Sequence, residues 1–521
     1  MTKKVDYTRY LIILMVLSAL VRGIIASVIE LGNDEVYYRL YAMYPDWSHF
    51  DHPLMVGSVI QFFSLNLLFT NELFIRMGSI VFGTINLWLM FQIGKTIRDE
   101  RTGFIAALLY TSSVYGFIIT GIFILPDTPQ GLFWLWSLYL MMKTLPGCPR
   151  IYEHRNNMIQ LGVVMGLAIL SKYSSVFLWG GAVLYLVFFN RKWFNSRYLY
   201  YALIASTVLA LPILIWNMQN DFISFTWQSE RVNMAGQTIR FDYMLTELVG
   251  EISYNNPINF MLIVLAVIAY FRGKMTINKS DARVMLLLSL PLIGTFLVFS
   301  FFRSTLPHWT APGYTTLIPL TAAWLTEKAP NRLIPKSIKA ALGLLVLTLI
   351  LGIAQIKTGL IPLDKTILFE KIGEGDPSLD MFGYSEAGKV FVEIVQRDRR
   401  NNQMNEEAFL VGTNWFPLAN YDYYAATPAR IKSRGINTLD RLHKYAWINH
   451  IEGGFKLGWD AYYLTDSRDF KVPDSTLRSY FETTIPADTI QISRGGKIAK
   501  RVFVYRMKNL TKLPDDPLQH E

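Results

Sequence analysis

With a single cysteine, Cys148, in 521 residues, the chain has no internal disulfide framework open to it. It shows no internal repeat, which argues against a secondary transporter, since many such folds are built from repeated halves. It also lacks a basic tail or stripe. The net charge is +10, yet the 22 basic and 22 acidic residues from Leu360 onward cancel. The excess lies in the apolar portion, 28 basic against 18 acidic, and concentrates in short loops. That is the charge pattern of membrane topology and excludes a polyanion-binding surface. No small-residue cleavage site follows the basic lead (Lys3, Lys4, Arg9) and the apolar run from Tyr10 to Ile29, so a retained first span is expected.

What is present in quantity is apolar sequence. Hydrophobic residues make up 52% of the chain and the mean hydropathy is +0.26, too apolar for an ordinary soluble protein. A spanning helix needs about 20 apolar residues. Runs of that kind fall near 10–29, 72–92, 103–121, 127–143, 158–171, 174–190, 198–216, 256–271, 284–302, 312–326 and 338–357, which predicts about eleven transmembrane helices. With the N-terminus inside, the inner segments carry 20 Lys and Arg against 6 acids, and the outer segments 6 against twelve. The positive-inside rule then fixes the orientation and puts the region after the last span outside.

After Lys357 the composition changes. β-rich runs at Ala408–Thr413, Ala461–Thr465 and Lys500–Tyr505 alternate with helix-like stretches at Ser385–Arg397 and Trp415–Ala426, with turn signals at Gly453-Gly454 and Gly495-Gly496. The expected architecture is an all-α polytopic membrane domain over 1–358, with outer loops at 30–71 and 217–255, followed by a small α/β domain over 359–521.

The first outer loop is the most unusual stretch. Asn33 to Pro53 reads NDEVYYRLYAMYPDWSHFDHP, opening on Asp34-Glu35 and closing on Asp51-His52-Pro53. Adjacent carboxylates there are either a helix cap and solvated surface or a proton acceptor, and Asp-His is either an ion pair or a phosphate or metal contact. Asp127, flanked by Pro126 and Pro129, reads as a helix N-cap or a site residue. Lys172, in Ser171-Lys172-Tyr173, sits on the outer side against the charge bias, where it either snorkels or holds a phosphate. Asn217, Arg303, His308-Trp309 and Tyr314 lie at other outer ends, and Arg22 is inside the first span, where it must face the bundle or a water-filled cavity. Carboxylates suit proton abstraction from a hydroxyl, aromatic faces suit sugar rings and lipid, and cations suit a phosphate leaving group. Together they describe sugar transfer from a lipid phosphate.

The order Asp34-Glu35, Phe50-Asp51-His52-Pro53-Leu54, Pro126-Asp127, Ser171-Lys172-Tyr173, Trp216-Asn217, His308-Trp309 and Tyr314 resembles the bacterial family 39-type membrane glycosyltransferases. These belong to the GT-C superfamily, with the protein O-mannosyltransferases and the lipid A aminoarabinose transferases. The resemblance covers roughly residues 8–330. It implies Asp34 as catalytic base with Glu35 beside it, and Lys172 near the donor phosphate. Donor or acceptor contacts are expected from Asp51, His52, Asp127, Tyr173, Asn217, Arg303, His308 and Tyr314. His52 stands where the aminoarabinose transferases carry a lysine.

The expected function is transfer of a monosaccharide from a polyprenyl-phosphate donor to a cell-envelope acceptor by a single inverting displacement. Lipid A or another glycolipid is the first acceptor and a protein Ser or Thr the second; a lipid-linked sugar flippase is the non-enzymatic alternative. No cofactor is required, and Asp51 with His308 is the pair a divalent metal would use. The expected location is the bacterial inner membrane, multi-pass, with a cytoplasmic N-terminus and a periplasmic active site.

Overall fold

The computed structural model describes residues 5–234, 236–364, 368–473 and 475–519, so Lys3 and Lys4 of the basic lead lie outside the described residues. The chain forms two compact units, Met1–Ser27 with Pro45–Thr348, and Val28–Tyr44 with Leu349–Glu521.

The first unit is helical, and each of the eleven apolar runs lies on helix. Among the described residues five helices are long and apolar enough to cross a membrane: Tyr7–Val28, Met77–Ile97, Arg197–Gln219, Lys279–Phe299 and Lys336–Thr358. A sixth span is available if the pair Phe241–Tyr254 and Pro257–Phe271, bent by 99°, is counted as one. The helix Tyr7–Val28 shows how such a segment meets its surroundings. Ile12, Val16, Leu20 and Ile24, spaced one turn apart, are all exposed. An apolar stripe turned outward suits hydrocarbon rather than water.

Packing inside this unit relies on small residues. A Cβ on Gly162 would stand 2.2 Å from the Ala202 carbonyl oxygen, so glycine is what lets the Tyr152–Ser171 and Arg197–Gln219 helices approach backbone to backbone. The run at 103–121 is not one helix. Glu100–Ser112 stops at extended Ser113 and resumes as a π-helical turn, Tyr115–Ile119. The two stretches read as outer loops are also more ordered than that term implies. Asn33–Met43 and Met55–Phe63 are helices, as are Ile223–Val232 and Phe241–Tyr254.

The second unit holds a five-stranded sheet in the order β2-β1-β3-β5-β4. Its strands are β1 (Phe409–Gly412), β2 (Ser433–Gly435), β3 (Ala461–Asp466), β4 (Phe481–Arg494) and β5 (Lys497–Leu510). β1 pairs in parallel with β2 and β3, while β5 pairs antiparallel with β3 and β4. The β4–β5 hairpin turns on Gly495 and Gly496, both at positive φ (58° and 78°), where a side chain would be strained. Helix Tyr384–Arg400 is fastened to β5 by a fork of Arg506 onto fully buried Asp398 (2.6 and 2.7 Å).

The segment Val28–Tyr44 packs within this second unit. The Tyr424 hydroxyl accepts from Leu31 N at 2.7 Å, Arg39 pairs with Asp422 at 3.6 Å, and Tyr37 lies 5.0 Å from the Trp415 ring. Glu30 closes a further link by accepting the free N–H groups of Tyr384 (2.9 Å) and Ser385 (3.1 Å) at the start of helix Tyr384–Arg400.

Candidate active site

In the first unit, the helices Asp127–Thr144 and Tyr152–Ser171 run antiparallel against each other. The amino end of one therefore lies beside the carboxyl end of the other. Asp127 is the first residue of the former, and Lys172 caps the latter in an extended conformation. Each charge sits at the helix end whose dipole favours it. They meet as a buried pair: Lys172 Nζ donates to Asp127 Oδ1 at 2.9 Å and Oδ2 at 2.8 Å, and the Tyr115 hydroxyl donates to Oδ1 at 3.1 Å. Two of the three ammonium protons are thereby used, and one is left to point at a ligand.

Two histidines flank this pair. His52 and His308 both lie close enough to Lys172, Asp127, Arg231 and one another to feel their charges. Burial pushes each imidazole down to about 4, with Lys172 and Arg231 adding to the effect and Asp127 opposing it. At neutral pH both rings are uncharged. His52 therefore carries no imidazolium charge at that pH.

The segment carrying His52 is a tight loop held from two sides. Ser48 bridges Pro53, and His49 N donates to the His52 carbonyl at 3.2 Å. Helix Ile223–Val232 grips its backbone: Ser224 Oγ donates to His49 O (3.0 Å), Gln228 Nε2 to Asp51 O (2.7 Å), and Phe50 packs on Trp227 at 5.1 Å. Arg231, on the same helix, lies over the Trp309 ring at 4.8 Å, beside His308.

The remaining expected residues separate into near and remote. Tyr173 follows Lys172 and turns its hydroxyl toward Ser48, Ser224 and Asn217. Asn217 is fully buried near the end of its helix, with Nδ2 donating to Ile213 O at 2.9 Å. Tyr314 is tied to Glu251 (2.9 Å), one turn from Glu247, which accepts from Thr305 at 2.8 Å. Arg303 is engaged by the Asn233 carbonyl at 2.8 Å. Arg231 is instead the arginine whose charge reaches both histidines. Asp51 turns its carbonyl to Gln228 and its charge toward His52. Among the described residues no group of three or more His, Cys, Asp or Glu is arranged to hold a metal ion.

In the second unit, Asp34 and Glu35 differ sharply. Glu35 is buried, and its Oε2 accepts Gly32 N at 2.9 Å, capping its own helix. Asp34, one residue earlier, is exposed.

Tyr115 and Arg231 lie outside the set of site residues expected from the sequence. Tyr115 lies in an apolar run and carries no signal. Arg231 had one, being a cation on the side where cations are scarce.

Residues 51–216 match the family described as dolichyl-phosphate-mannose-protein mannosyltransferase. That segment contains Asp51, His52, Asp127, Lys172 and Tyr173. The chain is 23% identical over 296 residues to the lipid A galacturonosyltransferase RgtD of Rhizobium johnstonii, a match covering 56% of this chain and 60% of that relative. The ArnT structure from Cupriavidus metallidurans bound to undecaprenyl phosphate superimposes with a TM-score of 0.59 at 16% identity, covering 95% of this chain and 97% of that one. Its apo form gives 0.56 at 14% identity, covering 96% and 98%. The fold is similar to that of these ArnT structures. The structural likeness covers both the helical unit and the small sheet-containing one.

Proposed function

We propose that this protein is a polytopic inner-membrane glycosyltransferase that moves a monosaccharide from a polyprenyl-phosphate donor to a cell-envelope glycolipid of the lipid A type. The observation that carries the reading is the buried Lys172–Asp127 pair with His52, His308 and Arg231 around it, most of it within the segment that matches the mannosyltransferase family. A GT-C fold and a relative that acts on lipid A support it.

The free N–H of Lys172, the imidazole N–H of His52 and the guanidinium of Arg231 supply donors for a phosphate diester. Asp34 is assigned the base, on the resemblance and because Glu35 is committed to its helix. The acceptor hydroxyl gives its proton to Asp34 as its oxygen attacks the anomeric carbon. The bond from that carbon to the phosphate oxygen breaks, and polyprenyl phosphate leaves with the electron pair, giving inversion. Charge builds on the departing phosphate, so cations fixed beforehand stabilise the transition state more than the ground state. All eleven apolar helices are assigned to the membrane, with the N-terminus cytoplasmic and the chemistry periplasmic, following the distribution of Lys and Arg.

The test is transfer by the purified protein from a polyprenyl-phosphate sugar to lipid A. Asp34→Asn is expected to lower the rate by about 10²–10⁴-fold, the range of general base catalysis. Transfer near the wild-type rate in Asp34→Asn would remove the base assignment. No transfer from any lipid donor, with donor crossing the bilayer of proteoliposomes, would establish a flippase instead. A protein Ser or Thr acceptor is the second reading, favoured by the description of the family matched at 51–216. Mass spectrometry of glycolipids and glycoproteins, with and without the protein, separates the two acceptors.

A further inference from the structure

Away from the residues already described, the first unit contains a cavity of about 610 Å³ lined by Arg150, Arg155, Lys192 and Arg197, with Tyr198 between the last and Arg155. Among the described residues no aspartate or glutamate lines it. Four positive charges so close repel one another, and in the sequence they count simply as inner-loop charges. Yet they come from two separate stretches of chain, 148–155 and 192–198, and the fold holds those stretches in place. Asn190 Nδ2 donates to the carbonyls of Leu145 (2.7 Å) and Gly147 (2.9 Å), tying the loop before Arg150 to the turn that carries Lys192. Fully buried Trp193 anchors that turn. Arg155 donates through Nε to Pro149 O at 2.9 Å and lies over the Tyr198 ring at 5.1 Å, while Arg197 lies over it at 5.3 Å. Two long helices, Tyr152–Ser171 and Arg197–Gln219, begin here, so their positive dipole ends add to the field.

The surroundings of the cavity identify its ligand. Ile151, Tyr152, Phe194, Tyr200 and Ile204 are exposed beside it, an apolar and aromatic border of the kind found where a membrane meets water. A soluble anion has no use for that border; an acyl chain does. We propose that this cavity is a binding site for the headgroup of an anionic phospholipid, a phosphate diester held by Arg150, Arg155, Lys192 and Arg197, with its chains along the neighbouring apolar surface. Planar guanidinium forks suit paired phosphate oxygens, and basic pockets between spanning helices suit anionic headgroups in general. The site is independent of the glycosyl-transfer reading.

Native mass spectrometry of the full chain, released from mixed micelles of equal phosphatidylglycerol and phosphatidylcholine, tests this. Wild type is expected to retain phosphatidylglycerol preferentially, and the preference should weaken as salt rises. Arg150→Glu with Lys192→Glu should lower that preference on the order of tenfold, as two reversed charges at a membrane surface require. Lys274→Glu with Lys279→Glu, at another basic loop, should leave it unchanged. Equal retention of the two lipids by wild type overturns the proposal without needing any variant to fold. A preference erased equally by both double variants overturns the location. Displacement of phosphatidylglycerol by millimolar inorganic phosphate would assign the cavity to a soluble anion instead of a lipid.

Discussion

Lys172 and Asp127 stabilise each other only as a pair, because both side chains are nearly sealed from solvent (7% and 3% exposed). Removing one partner leaves a buried charge without its counter-ion, which costs about 3–5 kcal/mol. Lys172→Met and Asp127→Asn should therefore each lower thermal stability markedly, and a double-mutant cycle should show strong coupling. Transfer behaves differently: the double variant should recover much of the stability and none of the activity. The histidines make a second residue-scale prediction. Their folded values near 4 lie below the ordinary 6.5, so between those limits the unfolded chain binds more protons than the folded one. This contribution to stability is complete above 6.5 and is lost as pH falls toward 4. The proposed donor, a phosphate diester, should bind with no titration near 6.5, read as a flat affinity between about pH 5.5 and 7.5.

Among the elements, the short helix Asn33–Met43 starts on a glycine, and its first turn is closed by Glu35 rather than by a capping side chain at the start. Glu35→Ala should cost about 0.5–2 kcal/mol, as the loss of other caps does. Transfer in that variant should fall no further than the folded fraction, measured by thermal unfolding beside activity, whereas Asp34→Asn should lower it by about 10²–10⁴-fold. The packing of Tyr152–Ser171 on Arg197–Gln219 is as exacting. With a Cβ on Gly162 only 2.2 Å from the Ala202 carbonyl, Gly162→Val forces the helices apart. A loss of about 1–3 kcal/mol or more is expected, seen as a lowered melting temperature in detergent.

For the whole molecule, the orientation in the membrane decides which side does the chemistry. Cys148 is the sole cysteine of the chain and is exposed, on a loop assigned to the inner side. A membrane-impermeant maleimide should leave it unlabelled in intact spheroplasts and label it after lysis. Glu406→Cys in a Cys148→Ser background, at an exposed turn of the second unit, should be labelled in intact spheroplasts. The opposite pattern would invert the topology and with it the periplasmic assignment.

The sequence by itself determined the apolar helices and the sign of their loops, because lipid demands long uninterrupted apolar runs and the charge bias is local. Strands β1, β3 and β5 were legible from β-branched and aromatic residues. β2, only Ser433-Arg434-Gly435, was too short to register, and β4 alternates in polar residues around Pro486. The site was legible in part: Asp127, Lys172, His52 and His308 stood at outer ends of separate runs, and they do meet. Their protonation did not follow from composition, since burial set it. Tyr115 reaches Asp127 only because a π-turn interrupts its helix, and Arg231 reaches the histidines from a stretch read as loop. Tertiary structure alone decided what becomes of the stretch from Asn33 to Pro53. Its first half packs with residues nearly four hundred positions away, as Arg39 does with Asp422, while its second half is held by helix Ile223–Val232. Contacts of that range leave no period in a sequence. They are fixed by which buried polar groups can satisfy one another once the chain has folded.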